Sequence, residues 1–177
     1  MYFTKQREVF IMNKFEAKPA TTDKQIQEIS TLAEKIWHQH FTPIIGEDQV
    51  NYMVDKFQSY PALKDQITHG YEYFQILSDG NFVGYIGVHE ENNALFLSKL
   101  YIEKGNRGKH LATRAFAFLK NICRERNLKK IWLTCNKYNA NTLAVYDHLG
   151  LKITRSEVTD IGNGFVMDDY ILEYPIS

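Results

Sequence analysis

The chain has 177 residues, and its 21 Lys and Arg are matched by 21 Asp and Glu, so its formal charge at pH 7 is zero. That length suits one domain with an ordinary core, and the charge balance gives no electrostatic case for nucleic acid or a membrane as partner. The 11 Tyr and 11 Phe argue against disorder, and no apolar run approaches the ~18 residues of a membrane helix.

Charges interrupt the apolar positions of the opening MYFTKQREVFI, so it does not form a signal-peptide core, and Met12 offers a second start. Residues 1–12 are therefore expected to be a loose extension, and residues 13–177 a single domain. Phe15, Ala17 and Pro19 suit a short edge strand ending at a proline. Thr22 and Gln25 form a capping-box pattern, opening a helix that carries Ile26, Ile29, Leu32, Ala33, Ile36 and Trp37 on one face and is expected to stop at Pro43. A second helix is expected from Glu47 to Phe57, and a short third one from Tyr60-Pro61 to near Gly70.

Three strands then follow closely: Tyr71 to Leu77, Phe82 to His89 and Ala94 to Ile102, joined by polar turns as a meander. The loop Glu103–Lys109 leads into a helix from His110 to about Arg126, whose core stripe is Leu111, Ala115, Phe118, Leu119 and Ile122. A strand from Lys130 to Thr134 and a helix from Asn139 to Leu149 come next; Gly150 suits the left-handed position after that helix. Within it, Asn139, Thr142 and Tyr146 share one face, and Val145 and Leu149 are expected to pack on the sheet. Leu151–Val158 and Val166–Glu173 form two last strands around Gly162-Asn163-Gly164. With the short third helical piece left uncounted, the order β-αα-βββ-α-β-α-ββ describes an α+β fold: a central mixed sheet flanked by helices on both faces. Cys123 and Cys135 fall inside regular elements, and read as reduced core thiols in a cytoplasmic protein.

Two stretches carry chemistry. Between Glu103 and Lys130 nine Lys and Arg face two Glu, a local excess in a neutral chain. At its N-terminal end Arg107 and Lys109 bracket Gly108 where a helix begins. Unpaired backbone N–H groups and the positive end of the helix dipole converge there, which describes a phosphate site. The GxxxxGK[ST] and GxGxxG patterns are both absent, so the common ATP, GTP and NAD readings lose their motifs. The second stretch is NANTLAVYDHLGL at Asn139–Leu151.

Taken together, RGKHLA at Arg107–Ala112 resembles the Q/R-x-x-G-x-G/A signature of the Gcn5-related N-acetyltransferases (GNAT), and NANTLAVYDHLGL resembles that family's N-x-x-A-x-x-x-Y-x-x-x-G-F segment. The two stand in the family's order, with LSKLYIEK as its central strand. Two features depart from the pattern: His110 stands at the fourth signature position, where the family has glycine, and Thr142 and Leu151 replace the usual Ala and Phe.

The resemblance implies the acyl-CoA N-acyltransferase fold, with a splayed, mostly antiparallel sheet, and acetyl-CoA as co-substrate with no metal. It implies that the N–H groups of Arg107, Gly108, Lys109, His110, Leu111 and Ala112 take the pyrophosphate. The backbone of Leu100, Tyr101 and Ile102 would pair with the pantetheine arm, Asn139 would contact the cofactor, and the Tyr146 hydroxyl would protonate the departing thiolate. An amine would attack the thioester directly. An alkyl amine of pKa ~10.4 costs about 4–5 kcal/mol to deprotonate at pH 7, so a proton acceptor is needed. Ser98 stands where many family members carry a glutamate, which leaves Glu90, His89, His38 and His40 as candidates.

Glu47, Asp48, Asp168 and Asp169 are an expected acidic mouth for a small cationic amine such as a polyamine. Protein N-terminal or lysine acetylation, and a catalytically weak CoA-binding module, stay open as alternatives, as does a homodimeric state.

Overall fold

A computed structural model describes residues 13–177; the expected extension at residues 1–12 lies outside the described residues. Strand β1 (Phe15–Pro19) leads to helix α1 (Asp23–Ile45). Its capping box closes as the sequence predicts: Gln25 N–H donates to Thr22 Oγ1 at 3.3 Å and Thr22 N–H to Gln25 Oε1 at 3.0 Å. Pro43 does not stop the helix, contrary to expectation. It sits in the last turn, and the chain leaves the helix at Gly46 (φ 85°), whose N–H still reaches the Thr42 carbonyl. A proline so close to the end removes only one backbone bond from the ladder. Helices α2 (Glu47–Phe57) and α3 (Tyr60–Thr68) follow, the latter with Pro61 in its first turn and Ser59 as cap.

The meander is β2 (Tyr71–Ser78), β3 (Asn81–Glu91) and β4 (Ala94–Ile102). A short 3₁₀ turn (Lys104–Asn106) precedes α4 (Leu111–Glu125), then come β5 (Lys130–Asn136), α5 (Ala140–His148), β6 (Lys152–Gly162) and β7 (Phe165–Pro175). The strands form one sheet in the order β1-β2-β3-β4-β5-β7-β6, and every pairing is antiparallel except β4 with β5. No helix among the described residues is long and apolar enough to cross a membrane.

Helices cover both faces. On one, Ile26, Ile29, Ala33 and Ile36 of α1 pack with Leu63, Tyr73 and Tyr85. On the other, Leu111, Ala115, Leu119 and Ile122 of α4 pack on Ile86, Leu95, Ile131 and Leu133. Two residues depart from expectation. Phe116, outside the expected stripe of α4, is 1% exposed and meets the Tyr174 ring edge-on at 5.2 Å, while Phe118 is only partly buried. Val145 is exposed, and Leu143 takes its place against the core.

The local event that shapes the site is a bulge in β4. Gly87 pairs with Lys99 but Val88 pairs with Leu97, so Ser98 is an extra residue. A bulge shifts the side-chain phase of all that follows. Leu95 and Leu97 face the α4 core before it, and Leu100 and Ile102 face that core after it. Lys99 and Tyr101 are thereby turned to the α1–α3 side, instead of into the α4 core. Close strand approach beyond the bulge requires Gly84, where an added Cβ would stand 2.4 Å from the Tyr101 carbonyl oxygen. Gly84→Ala should therefore cost about 1–3 kcal/mol in a denaturant titration, and a loss near zero would contradict this packing.

Candidate active site

Strands β4 and β5 pair over only three residues, Ala94–Phe96 with Lys130–Trp132. Beyond Phe96 the β5 side of β4 has no strand partner among the described residues, and the two strands part. A cleft of about 1250 Å³ fills the gap, bounded by Leu100, Tyr101 and Ile102, the start of α4, and α5.

The start of α4 forms one end of the cleft. Gly108 (φ 77°) and His110 (φ 58°) are both left-handed, and His110 caps the helix without a side-chain bond. That conformation explains why a glycine suits this position; a histidine there carries a cost of roughly 1–2 kcal/mol. In return the chain turns so that the N–H groups of residues 108–113 meet no acceptor among the described residues. Arg107, Gly108, His110, Leu111 and Ala112 line the cleft. Arg107 Nε donates to the Ile102 carbonyl at 3.0 Å, joining the loop to the free edge of β4. Lys109 is turned back instead, its Nζ donating to Asn106 Oδ1 at 2.9 Å.

The opposite wall is α5. Asn139, at its cap, is 5% exposed, and its Oδ1 lies 3.2 Å from His40 Nε2 of α1. Burial, and then the nearby Arg107 charge, hold His40 below its ordinary range, so it is neutral at pH 7. Tyr146 lines the cleft but is largely buried, and burial raises its phenol well above the usual value. Tyr101 enters from β4 within an aromatic cluster, 5.8 Å from Trp37 and 5.4 Å from Tyr85. Burial, and then the proximity of Tyr146, Cys135 and Asp169, push its phenol well above the ordinary range too. Two protonated phenols thus stand where β4 and β5 separate. Sequence reasoning named Tyr101 for its backbone only.

The expected acidic mouth reduces to one residue. Glu47 and Asp48 are exposed at the start of α2, outside the cleft lining, and Asp168 is ion-paired with Lys137. Asp169 lines the cleft, is 5% exposed, and among the described residues its buried Oδ1 has no hydrogen-bond partner. Burial, then the Asp168 charge, push its carboxyl up to about 6. Of the candidate proton acceptors, Glu90 pairs with Arg126 at 3.5 Å and His89 stacks on Tyr71, both outside the lining; His40 lines the cleft and His38 does not. Lys99, which sequence reasoning did not single out, lines it too. The strand alternation of LSKLYI gives no sign of the bulge that brings it there.

The raised Asp169 carboxyl makes a signed prediction. A carboxyl with a folded pKa above its unfolded value destabilises the fold once the unfolded chain ionises, and the cost is complete above the folded pKa. Asp169→Asn should then stabilise the free protein by about 1–3 kcal/mol at pH 7–8, with the gain vanishing below pH ~4. Thermal unfolding across that range checks it; a gain that grows toward acid pH would contradict it.

The comparisons with known proteins bear on this geometry. The family model described as "Acetyltransferase (GNAT) family" matches residues 32–151, from within α1 to the end of the α5 segment. The PaiA N-acetyltransferase of Thermoplasma acidophilum, solved in complex with coenzyme A, superposes with a TM-score of 0.76 at 17% identity, covering 92% of this chain and 99% of that one. A GCN5-related N-acetyltransferase structure from Rhodopseudomonas palustris gives 0.76 at 12% identity, with 94% and 98% covered. Spermidine N-acetyltransferase of Vibrio cholerae, in complex with CoA and spermine, gives 0.66 at 15% identity, with 93% and 96% covered. With the splayed strands, the unpaired N–H groups at the start of α4 and a family match spanning most of its length, the chain belongs to the GNAT family of N-acetyltransferases.

Proposed function

We propose that this N-acetyltransferase acts in the cytoplasm, moving the acetyl group of acetyl-CoA to a primary amine of a small cationic molecule, a polyamine being the model acceptor. The observation that carries the acceptor reading is Asp169, a buried carboxylate oxygen with no partner, in the same cleft as Tyr146 and the start of α4. A buried carboxylate oxygen without a donor is costly unless a cation meets it. An acceptor ammonium would supply that cation. The Vibrio cholerae neighbour shares the fold at 15% identity, so the acceptor reading rests on Asp169 rather than on that likeness.

The chain's own groups have distinct tasks in this account. The Arg107 N–H is taken by the Lys104 carbonyl at 3.3 Å, so the N–H groups of residues 108–112, with the Arg107 guanidinium, hold the pyrophosphate by charge-assisted bonds of ~1.5–3 kcal/mol each. The open edge of β4 at Leu100–Ile102 pairs with the pantetheine arm as a strand would. Asn139, steadied by His40, contacts that arm. The amine attacks the thioester carbonyl carbon, the tetrahedral species collapses with loss of thiolate, and Tyr146 gives it a proton. A phenol kept protonated by burial is suited to that donation.

Isothermal titration should show micromolar acetyl-CoA binding, and no binding would sink the proposal. Thiol release with spermidine should exceed that with peptides; the reverse order would favour protein acetylation. Tyr146→Phe should lower kcat by about 100-fold with little change in acetyl-CoA affinity. Unchanged turnover would remove Tyr146 from the acid role.

A further inference from the structure

Deprotonation of the acceptor amine has no assigned residue: Ser98 cannot serve, Glu90, His89 and His38 lie outside the cleft lining, and the His40 Nε2 is engaged by Asn139 Oδ1 at 3.2 Å. The acceptor side of that cleft holds a group built for the task. We propose that Lys99, as the neutral amine, takes the proton from the acceptor's ammonium group before attack on the thioester. The inference rests on the acetyltransferase reading above and adds its proton acceptor.

Four observations carry it. The bulge at Ser98 turns Lys99 from the α4 core to the side of the sheet that also bears Asp169. Room for its stem comes from Gly87, where an added Cβ would stand 3.3 Å from Lys99 Cβ and Cδ and 2.9 Å from Tyr73 Cε1. Its Nζ is fixed by Gln66 Oε1 at 2.7 Å and Ser98 Oγ at 3.2 Å, and the Gln66 amide is itself locked by a bond from Nε2 to the Phe57 carbonyl at 3.1 Å. Finally, Lys99 is 4% exposed, and among the described residues no carboxylate lies within ion-pairing distance of it.

The surroundings set its charge state. From β2 it is faced by the rings of Tyr71 and Tyr73, 5.6 and 5.2 Å from Nζ, and from α3 by the neutral Gln66. Behind Tyr71 stand His89 and Glu91, 3.9 Å apart, and at the cleft wall Asp65 and Lys56. The aromatic faces offset part of the cost of a buried ammonium, but no anion does so. Burial therefore brings the amine down to about 7, where it is free to accept a proton at neutral pH.

The step balances. The ammonium N–H bond breaks and its proton passes to the Lys99 lone pair; the freed amine forms the new N–C bond, and as the C–S bond breaks the nitrogen gives its second proton to solvent. Tyr146 protonates the thiolate, and the Lys99 ammonium returns its charge by giving one proton to the phenolate. The overall products are the acetamide, free CoA and one proton from the amine's own ammonium, which leaves with solvent. Asp169 meanwhile holds a second cationic group of the acceptor.

The test uses the full chain with acetyl-CoA and spermidine, following thiol release from pH 5.5 to 9. Wild type should show a kcat/KM that rises with pH through a midpoint near 7. Lys99→Met should lower kcat by about 100-fold and abolish that midpoint, while unfolding at a higher temperature, most clearly below pH 7 where the buried ammonium costs most. A Lys99→Met rate within about threefold of wild type, or an unchanged pH midpoint, overturns the assignment. Lys99→Gln keeps a polar partner for Gln66 and serves if the methionine variant does not fold. Independently, the Lys99 ¹³Cε resonance, identified by its loss in Lys99→Gln, should titrate near pH 7; titration above pH 9 overturns the proposal. Acetyl-CoA binding with no thiol release to any amine tested also overturns it and leaves the cofactor reading standing. Absence of acetyl-CoA binding sinks the reading on which both depend.

Discussion

Strands β4 and β5 run parallel and share hydrogen bonds at only one end, Ala94–Phe96 against Lys130–Trp132, and the rest of the site depends on that short pairing. A sheet that stays zipped leaves no groove. Here the strands part after three residues, so Leu97–Ile102 keeps an unsatisfied backbone edge in the middle of the molecule. Buried backbone groups without partners are costly. The edge is tolerable because a cleft reaches it and because Arg107 caps the Ile102 carbonyl. The same parting opens space between the α4 start and α5, which face each other across the gap and bring Arg107–Ala112 and Tyr146 to one cavity.

A second constraint works with the first. The β4 bulge reverses side-chain phase just where the strands diverge, so one strand supplies apolar residues to the α4 core and then Lys99 and Tyr101 to the opposite face. Donor-binding backbone and acceptor-side chemistry are thus carried on consecutive residues. The acceptor side is unusual in electrostatic terms: among the described residues Lys99 has no anion partner and the Asp169 Oδ1 has no donor, and burial moves both groups toward their neutral forms. Arg126 shows the contrast. It belongs to the same basic stretch as Arg107, but it is ion-paired with Glu72 and Glu90 on the surface. A solvated pair of that kind serves structure, whereas unpaired buried charges mark a place where a ligand completes the arrangement.

Much of this was legible in the sequence. Periodicity and turn residues placed every element, and α2 and β4 fell on their observed bounds. The motif at Arg107–Ala112 and the segment from Asn139 pointed to the two walls of one cleft. What could not be read was tertiary in origin. A proline three residues from a helix end looks like a stop, yet the Gly46 N–H bond to Thr42 carries α1 past Pro43. Acidic residues cluster in sequence at Glu47-Asp48 and at Asp168-Asp169, but burial selects Asp169 alone. The bulge at Ser98 leaves no composition signal, and without it Lys99 reads as a charged residue on a strand face with no particular role.

The central claim is that the parted strands and the unpaired N–H groups at the start of α4 form one acetyl-CoA site. Amide hydrogen exchange read by mass spectrometry, with and without acetyl-CoA, tests it most directly. The account predicts that slowing on binding is concentrated in residues 98–113 and 139–146, with β6 and the exposed surface of α2 unchanged. Slowing confined to other segments, or none at saturating acetyl-CoA, would contradict it.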